Sequence, residues 1–245
     1  MRKITAILFI LCLAPFVAFA SGPEMKLDEA PIRSSDKLSL QRGAQTFANY
    51  CLTCHSAEYM RYNRLRDLGL SENQIRDNLI FTGQKVGELM TVAMKKKDAK
   101  QWFGVAPPDL SVIARSRGPD WLYTYLRKFY RDESTATGWN NLLFDKVAMP
   151  HVLYQLQGTQ SVTVKTVDDG HGGKHEVREL KLDTPGTLSK TEYDMYVADL
   201  VNYLVYVGEP AAEKRVQLGV IVMLFLFGML ALTYALKHEF WRDIH

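Results

Sequence analysis

Cysteine is scarce in this chain of 245 residues, with Cys12, Cys51 and Cys54 the only three. Cys12 lies in a segment with the marks of an export leader, so an exported chain keeps two cysteines, and a disulfide framework is excluded without sacrificing that pair. Net charge is also small. Thirty Lys and Arg against 27 Asp and Glu leave +3, and loss of Arg2 and Lys3 with the leader brings the balance near +1. Nothing there points to nucleic acid. Internal repeats and low-complexity tracts are missing, as is a βαβ pattern around the cysteines. What remains is a chain with 47% hydrophobic residues, long enough for one sizeable core plus appendages.

Cys51-Leu52-Thr53-Cys54-His55 is the stretch around which the rest is organised. On a helix Cys51 and Cys54 share one face and His55 follows Cys51 by one turn. Two thiols so placed can form thioethers with the two vinyl groups on one porphyrin edge, while the adjacent imidazole reaches the iron as an axial ligand. Two plainer readings compete. A redox dithiol expects a βαβ setting and gives His55 no role; a zinc site would draw on His171 and His175, which lie far outside finger spacing in a Gly-rich stretch.

Membrane signals sit at the two ends. Arg2 and Lys3, the apolar run Ile4 to Val17 and Ala18-Phe19-Ala20 before Ser21 make a secretory leader, expected over residues 1–20 with cleavage after Ala20. Val216 to Leu236 holds no charge over 21 residues, about 31 Å of helix, which matches a bilayer core. Basic residues flank both its ends, so orientation is read from the leader. The expected organisation is a haem domain over 21–210 in the periplasm, a single transmembrane helix over 216–236 in the bacterial inner membrane, and a cytoplasmic tail over 237–245.

Leu40, Ala44, Phe47 and Cys51 predict an amphipathic helix with Ser39 as N-cap, and Gly43 predicts a close helix contact. Its partner is the helix opened by the capping box Ser189-Lys190-Thr191-Glu192 and stopped at Gly208 and Pro210. Glu72 to Phe81 and Val86 to Lys97 read as further helices, the second closed by the solvated run Lys95-Lys96-Lys97. Asp109 and Asp120 are expected as caps. Trp121, Tyr125 and Phe129 form an aromatic stripe, and Val162 to Val167 with Glu176 to Leu182 read as a surface β-hairpin. Arg115 and Arg117 are candidates to pair with a haem propionate. Met149, held extended before Pro150, is the candidate second axial ligand, and His151 is its rival.

In that order, Gln41-Arg42-Gly43-Ala44 before the Cys51 to His55 motif, Ala106-Pro107-Pro108-Asp109-Leu110-Ser111, Gly118-Pro119-Asp120-Trp121-Leu122, Ala148-Met149-Pro150 and the C-terminal span, the chain resembles the cytochrome c1 family. The resemblance implies a mainly α, class I cytochrome c-like haem domain with a small β-hairpin excursion and one C-terminal transmembrane helix. It implies one covalent haem c on Cys51 and Cys54, iron ligated by His55 and Met149, and Arg117 and Pro108 at the cofactor. It also implies transfer of one electron at a time from a Rieske iron–sulfur protein to a c-type cytochrome acceptor, the anchor lying in membrane lipid beside cytochrome b in the bc1 complex. This subunit would then be a relay, with quinol oxidation belonging to the whole complex. A free-standing membrane-anchored cytochrome feeding a terminal oxidase is the alternative. A haem enzyme such as a peroxidase needs an open iron site, and many carry a second C-x-x-C-H motif; here there is one.

Overall fold

The computed structural model describes residues 25–168 and 174–243. The expected leader and His171 lie outside the described residues. Helix α1, Lys37–Thr46, starts at Asp36, whose carboxylate accepts the Ser39 N–H at 3.1 Å. Ser39 is therefore not the cap but the third residue of the helix, and its own N–H is the one that Asp36 satisfies. The helix runs into a π-turn over Phe47–Cys51. Strand β1, Ala57–Arg61, is followed by a 3-10 helix, Tyr62–Leu68, and by α2, Glu72–Leu79, which the reciprocal bonds of Ser71 and Gln74 cap.

The stretch expected as a helix from Val86 to Lys97 is divided. Leu89–Met90 forms β2, antiparallel to β1, and α3 covers Lys96–Phe103. The lysine run heads a helix and does not close one, with Asp98 as the acid in its first turn. Val86, Met90 and Met94 fit helical spacing, but the long-range pairing to β1 and the Val92 N–H bond to the Ser56 hydroxyl at 3.1 Å override it.

Helix α4 is the short Ile113–Ser116, and α5 is Pro119–Arg127. Gly118, at φ 91°, is the N-cap of α5 and Pro119 takes its first position. Asp120 instead accepts the Ala30 N–H at 2.8 Å, tying down the N-terminal segment. Phe129 lies beyond the helix in β3, Phe129–Arg131, which pairs with β4, Trp139–Asn141. Helix α6, Tyr154–Gln157, leads into the hairpin of β5, Gly158–Asp168, and β6, Lys174–Pro185. The hairpin is longer than expected and carries exposed Val164 and Leu182, so it adds little to the core.

Helix α7, Lys190–Gly208, carries the expected Ser189–Glu192 capping box. It crosses α1 at Gly43, where a Cβ would overlap the Asp199 carbonyl oxygen and come within 2.6 Å of the Tyr203 Cβ. At the crossing Asp199 takes the Ser39 hydroxyl at 2.6 Å and the Arg42 guanidinium, while Asn202 holds Ser39 at 3.0 Å and the Arg33 N–H at 2.7 Å. Around this polar clamp Phe47, Tyr62, Leu65, Ile75, Val197, Val201 and Tyr203 are fully enclosed, each such side chain contributing about 1.5–3 kcal/mol. Helix α8, Ala212–Trp241, follows after three residues; its segment from Lys214 is long and apolar enough to cross a membrane.

Candidate functional site

The π-turn delivers the motif. Cys51 is buried and Cys54 half-buried at the end of α1, and the His55 N–H donates to the Cys51 carbonyl at 2.8 Å, keeping the one-turn relation. Burial pushes the Cys51 thiol up to about 12 and Cys54 in the same direction. Among the described residues no group of three or more His, Cys, Asp and Glu is gathered to hold a metal.

His55 is fixed by the segment 106–111, in which Pro108 was expected at the cofactor and Asp109 as a helix cap. Its Nδ1–H donates to the Pro108 carbonyl at 2.8 Å, which sets the tautomer and leaves the Nε2 lone pair for a metal. Burial lowers its pKa, against the opposing pull of that bond and of Asp109, so the ring stays neutral. Backbone and side-chain bonds then stitch residues 106–111 along residues 55–59. Asp109 accepts from the Glu58 N–H and the Ser111 N–H, each at 2.8 Å, Ser111 accepts from the Tyr59 N–H at 3.0 Å, and the Leu110 N–H donates to the Ser56 carbonyl at 2.8 Å. A cavity of about 90 Å³ lies beside Cys54, between Ser56, Val92 and Pro107.

Met149 is half-buried against the same core. Its sulfur faces the Tyr125 hydroxyl at 3.5 Å. Tyr125 belongs to a run of rings in contact: Trp121 stacks on it at 4.8 Å and 13°, Phe129 meets it edge-on at 5.0 Å, and His151 stacks on Phe129 at 4.9 Å and 3°. Arg117 lies over Trp121, 5.2 Å from the ring centroid, so the arginine and the methionine expected at one cofactor are linked through two aromatic rings. His151 is buried, its ring also meeting the edge of Trp139 at 5.2 Å, and burial lowers its pKa to about 4. Its Nε2 and the Gln157 Oε1 are both buried without a well-formed hydrogen bond, the Gln157 side chain opposing part of that lowering.

Three residues that sequence reasoning left without a role shape this flank. Asn141 donates to the Tyr125 carbonyl at 2.8 Å, and Asn140 receives the Lys146 N–H at 2.9 Å, turning the chain toward Met149. Arg127 grips Asp194 at 2.6 Å and Asp28 at 3.0 Å beneath the Tyr123 ring. The signal for Tyr125 was its place in the aromatic stripe; the asparagines sat in a loop legible only as a loop. Arg115, the other candidate for a propionate, lines a separate cavity beside the anchor.

The donor set fits a covalently attached haem: two neutral sulfurs on one turn, an imidazole with its outer nitrogen free, and a thioether in the same core. Residues 28–169 and 182–244 match the cytochrome C1 family. The chain is 61% identical over 245 residues, the whole of both chains, to a Nitrosomonas europaea protein named ammonia monooxygenase gamma subunit. It is 48% identical over 246 residues, again all of both, to the cytochrome c1 of Allochromatium vinosum. It is 30% identical to that of Rhodospirillum rubrum over 240 residues, 85% of this chain and 83% of the relative. The chain therefore belongs to the cytochrome C1 family, haem-carrying electron-transfer subunits of the bc1 complex, with haem c as its covalently bound cofactor.

Proposed function

We propose that Cys51 and Cys54 bind the haem through thioethers, that His55 Nε2 and Met149 Sδ close the iron on both sides, and that the domain relays single electrons on the periplasmic side of a bacterial inner membrane. The observation that carries this reading is the His55 bond to the Pro108 carbonyl, which holds the imidazole in the orientation and tautomer an axial ligand needs. When bound, haem c supplies a one-electron ferric/ferrous couple. The residues around it do the rest. Thioether ligation by Met149 favours the reduced state and raises the potential, with the Tyr125 hydroxyl orienting the sulfur. Arg117, braced on Trp121, pairs with a propionate. With His55 and Met149 both holding the iron, no position would be left for a substrate, and the reading is a relay between a Rieske iron–sulfur protein and a c-type cytochrome acceptor, with cytochrome b beside the anchor.

His151 is the second reading for the distal ligand, favoured by its buried and unpartnered Nε2. Against it, Phe129 and Trp139 already enclose its ring. Met149→Ala decides between them: loss of the near-infrared thioether-to-iron band assigns Met149, and its retention rejects that ligand. Purification from native membranes tests the relay. Co-purification with b-type haem and an iron–sulfur protein, and reduction by quinol, is the expected result; a covalent haem that travels alone makes the protein a free-standing donor to an oxidase.

A further inference from the structure

A second cavity lies away from the haem residues. It has a volume of about 410 Å³ and lies where the globular domain meets the anchor, between the turn before α1, the end of α7 and the first turns of α8. Such a volume is that of an ordinary small-ligand pocket. Ser34, Ser35, Lys37, Arg115, Lys214 and Gln217 supply its polar lining. Two carboxylates also face it, and both are engaged by other cations. Asp67 pairs with Arg64 at 2.8 Å and accepts from the Tyr206 hydroxyl at 3.3 Å, and Glu209 pairs with Arg215 at 2.7 Å. Lys37, Arg115 and Lys214 are in no ion pair among the described residues.

Three cations line one concave site whose two carboxylates are already paired with Arg64 and Arg215, an arrangement that suits an anion from outside the fold. Gly208 makes room for one of them. A Cβ there would stand 3.2 Å from the Arg115 Cγ, so a bare α-carbon lets the arginine stem lie against the end of α7. The level of the cavity narrows the choice of anion. Gln217 is the second residue of the uncharged run that begins at Val216, and Leu218 and Val220 are exposed on the same helix just beyond it. A ligand seated on the cations thus has apolar anchor surface directly below it.

We propose that this cavity is a headgroup site for an anionic phospholipid, the phosphodiester held by Lys37, Arg115 and Lys214 with the serine hydroxyls as further donors, and the acyl chains laid along the start of α8. The shared chemistry is phosphate recognition; the apolar lane assigns it to a lipid and not to free phosphate.

The test uses the full chain with its haem attached, delipidated in mild detergent and offered phosphatidylglycerol or phosphatidylcholine at equal concentration, with retained lipid counted by native mass spectrometry. Retention of one phosphatidylglycerol in preference to phosphatidylcholine is expected. Each of Lys37→Gln, Arg115→Gln and Lys214→Gln should weaken it about five-fold, and the triple variant about a hundred-fold. Lys237→Gln, which removes the same charge at the far end of the anchor, should leave retention unchanged. Haem absorbance reports whether each variant is folded, and Lys37→Gln alone, at an exposed helix start, keeps the test decisive if the triple variant does not fold. Equal retention of both lipids, insensitivity to the three substitutions, or displacement of the lipid by inorganic phosphate at matching concentration would overturn the proposal.

Discussion

The two flanks of the proposed haem site, at His55 and at Met149, are built by different means. The His55 flank rests largely on main-chain donors: an i+4 turn carries the imidazole, a backbone carbonyl fixes its tautomer, and the N–H groups of Glu58, Tyr59 and Leu110 tie residues 55–59 to 106–111 through the Asp109 and Ser111 side chains and the Ser56 carbonyl. The Met149 flank is side chain, its sulfur set against Tyr125 and that ring held by Trp121 and Phe129. Backbone hydrogen bonds tolerate little displacement, whereas stacked rings can slide. The first flank is expected to hold its geometry rigidly and the second to be where the potential of the iron is adjusted.

The largest effect expected is on the first flank. Gly43→Ala drives a methyl into the Asp199 carbonyl and parts α1 from α7, at a cost of about 3 kcal/mol or more. Thermal unfolding should show the loss, and the yield of protein that stains for haem on a denaturing gel should fall with it. An unchanged melting temperature would mean that the helices do not meet there. On the second flank Arg127→Met keeps the apolar stem over Tyr123 but leaves Asp194 without its cation and Asp28 with only Lys128 at 3.6 Å. A cost of about 2 kcal/mol is expected in denaturant titrations, with the haem still attached.

Tyr125→Phe sharpens the contrast further, since the ring contacts stay and only the hydroxyl is lost. Removing a donor from the sulfur should lower the reduction potential by about 40 mV, the equivalent of one hydrogen bond of about 1 kcal/mol, with little change in stability. A potential equal to that of the parent would detach Tyr125 from the ligand. Glu192→Gln is the smallest perturbation. Hydrogen bonds from the Ser189 side chain and backbone hold the Glu192 carboxyl below its ordinary 4.5. Its contribution to the cap of α7 is present above that value and lost as pH falls through the lower, folded one. The gap in melting temperature between parent and variant should therefore close on acidification below pH 4.5.

The same division explains what could be read from residues alone. The Cys51 to His55 motif, the Ser189 capping box, the close approach at Gly43 and the apolar span are local patterns, and each appears where local chemistry puts it. Val86 to Lys97 was misread because its apolar spacing suits a helix while its partner, Ala57–Arg61, lies some thirty residues away. Asp36 and Ser39 compete for one cap, and Gly118 with Pro119 pre-empts Asp120, choices that depend on a backbone angle and on the distant Ala30 N–H. Tyr125, Asn140 and Asn141 take their roles from residues between six and twenty-four positions along the chain, for which no short-range signature exists.

Between Gly208, the last residue of α7, and Ala212, the first of α8, run only three residues, which span at most about 11 Å when fully extended. The haem lobe is in effect moored at the lipid surface on a very short line. It cannot ferry charge by swinging outward, so any travel that electron delivery demands must be made by the molecules that visit it.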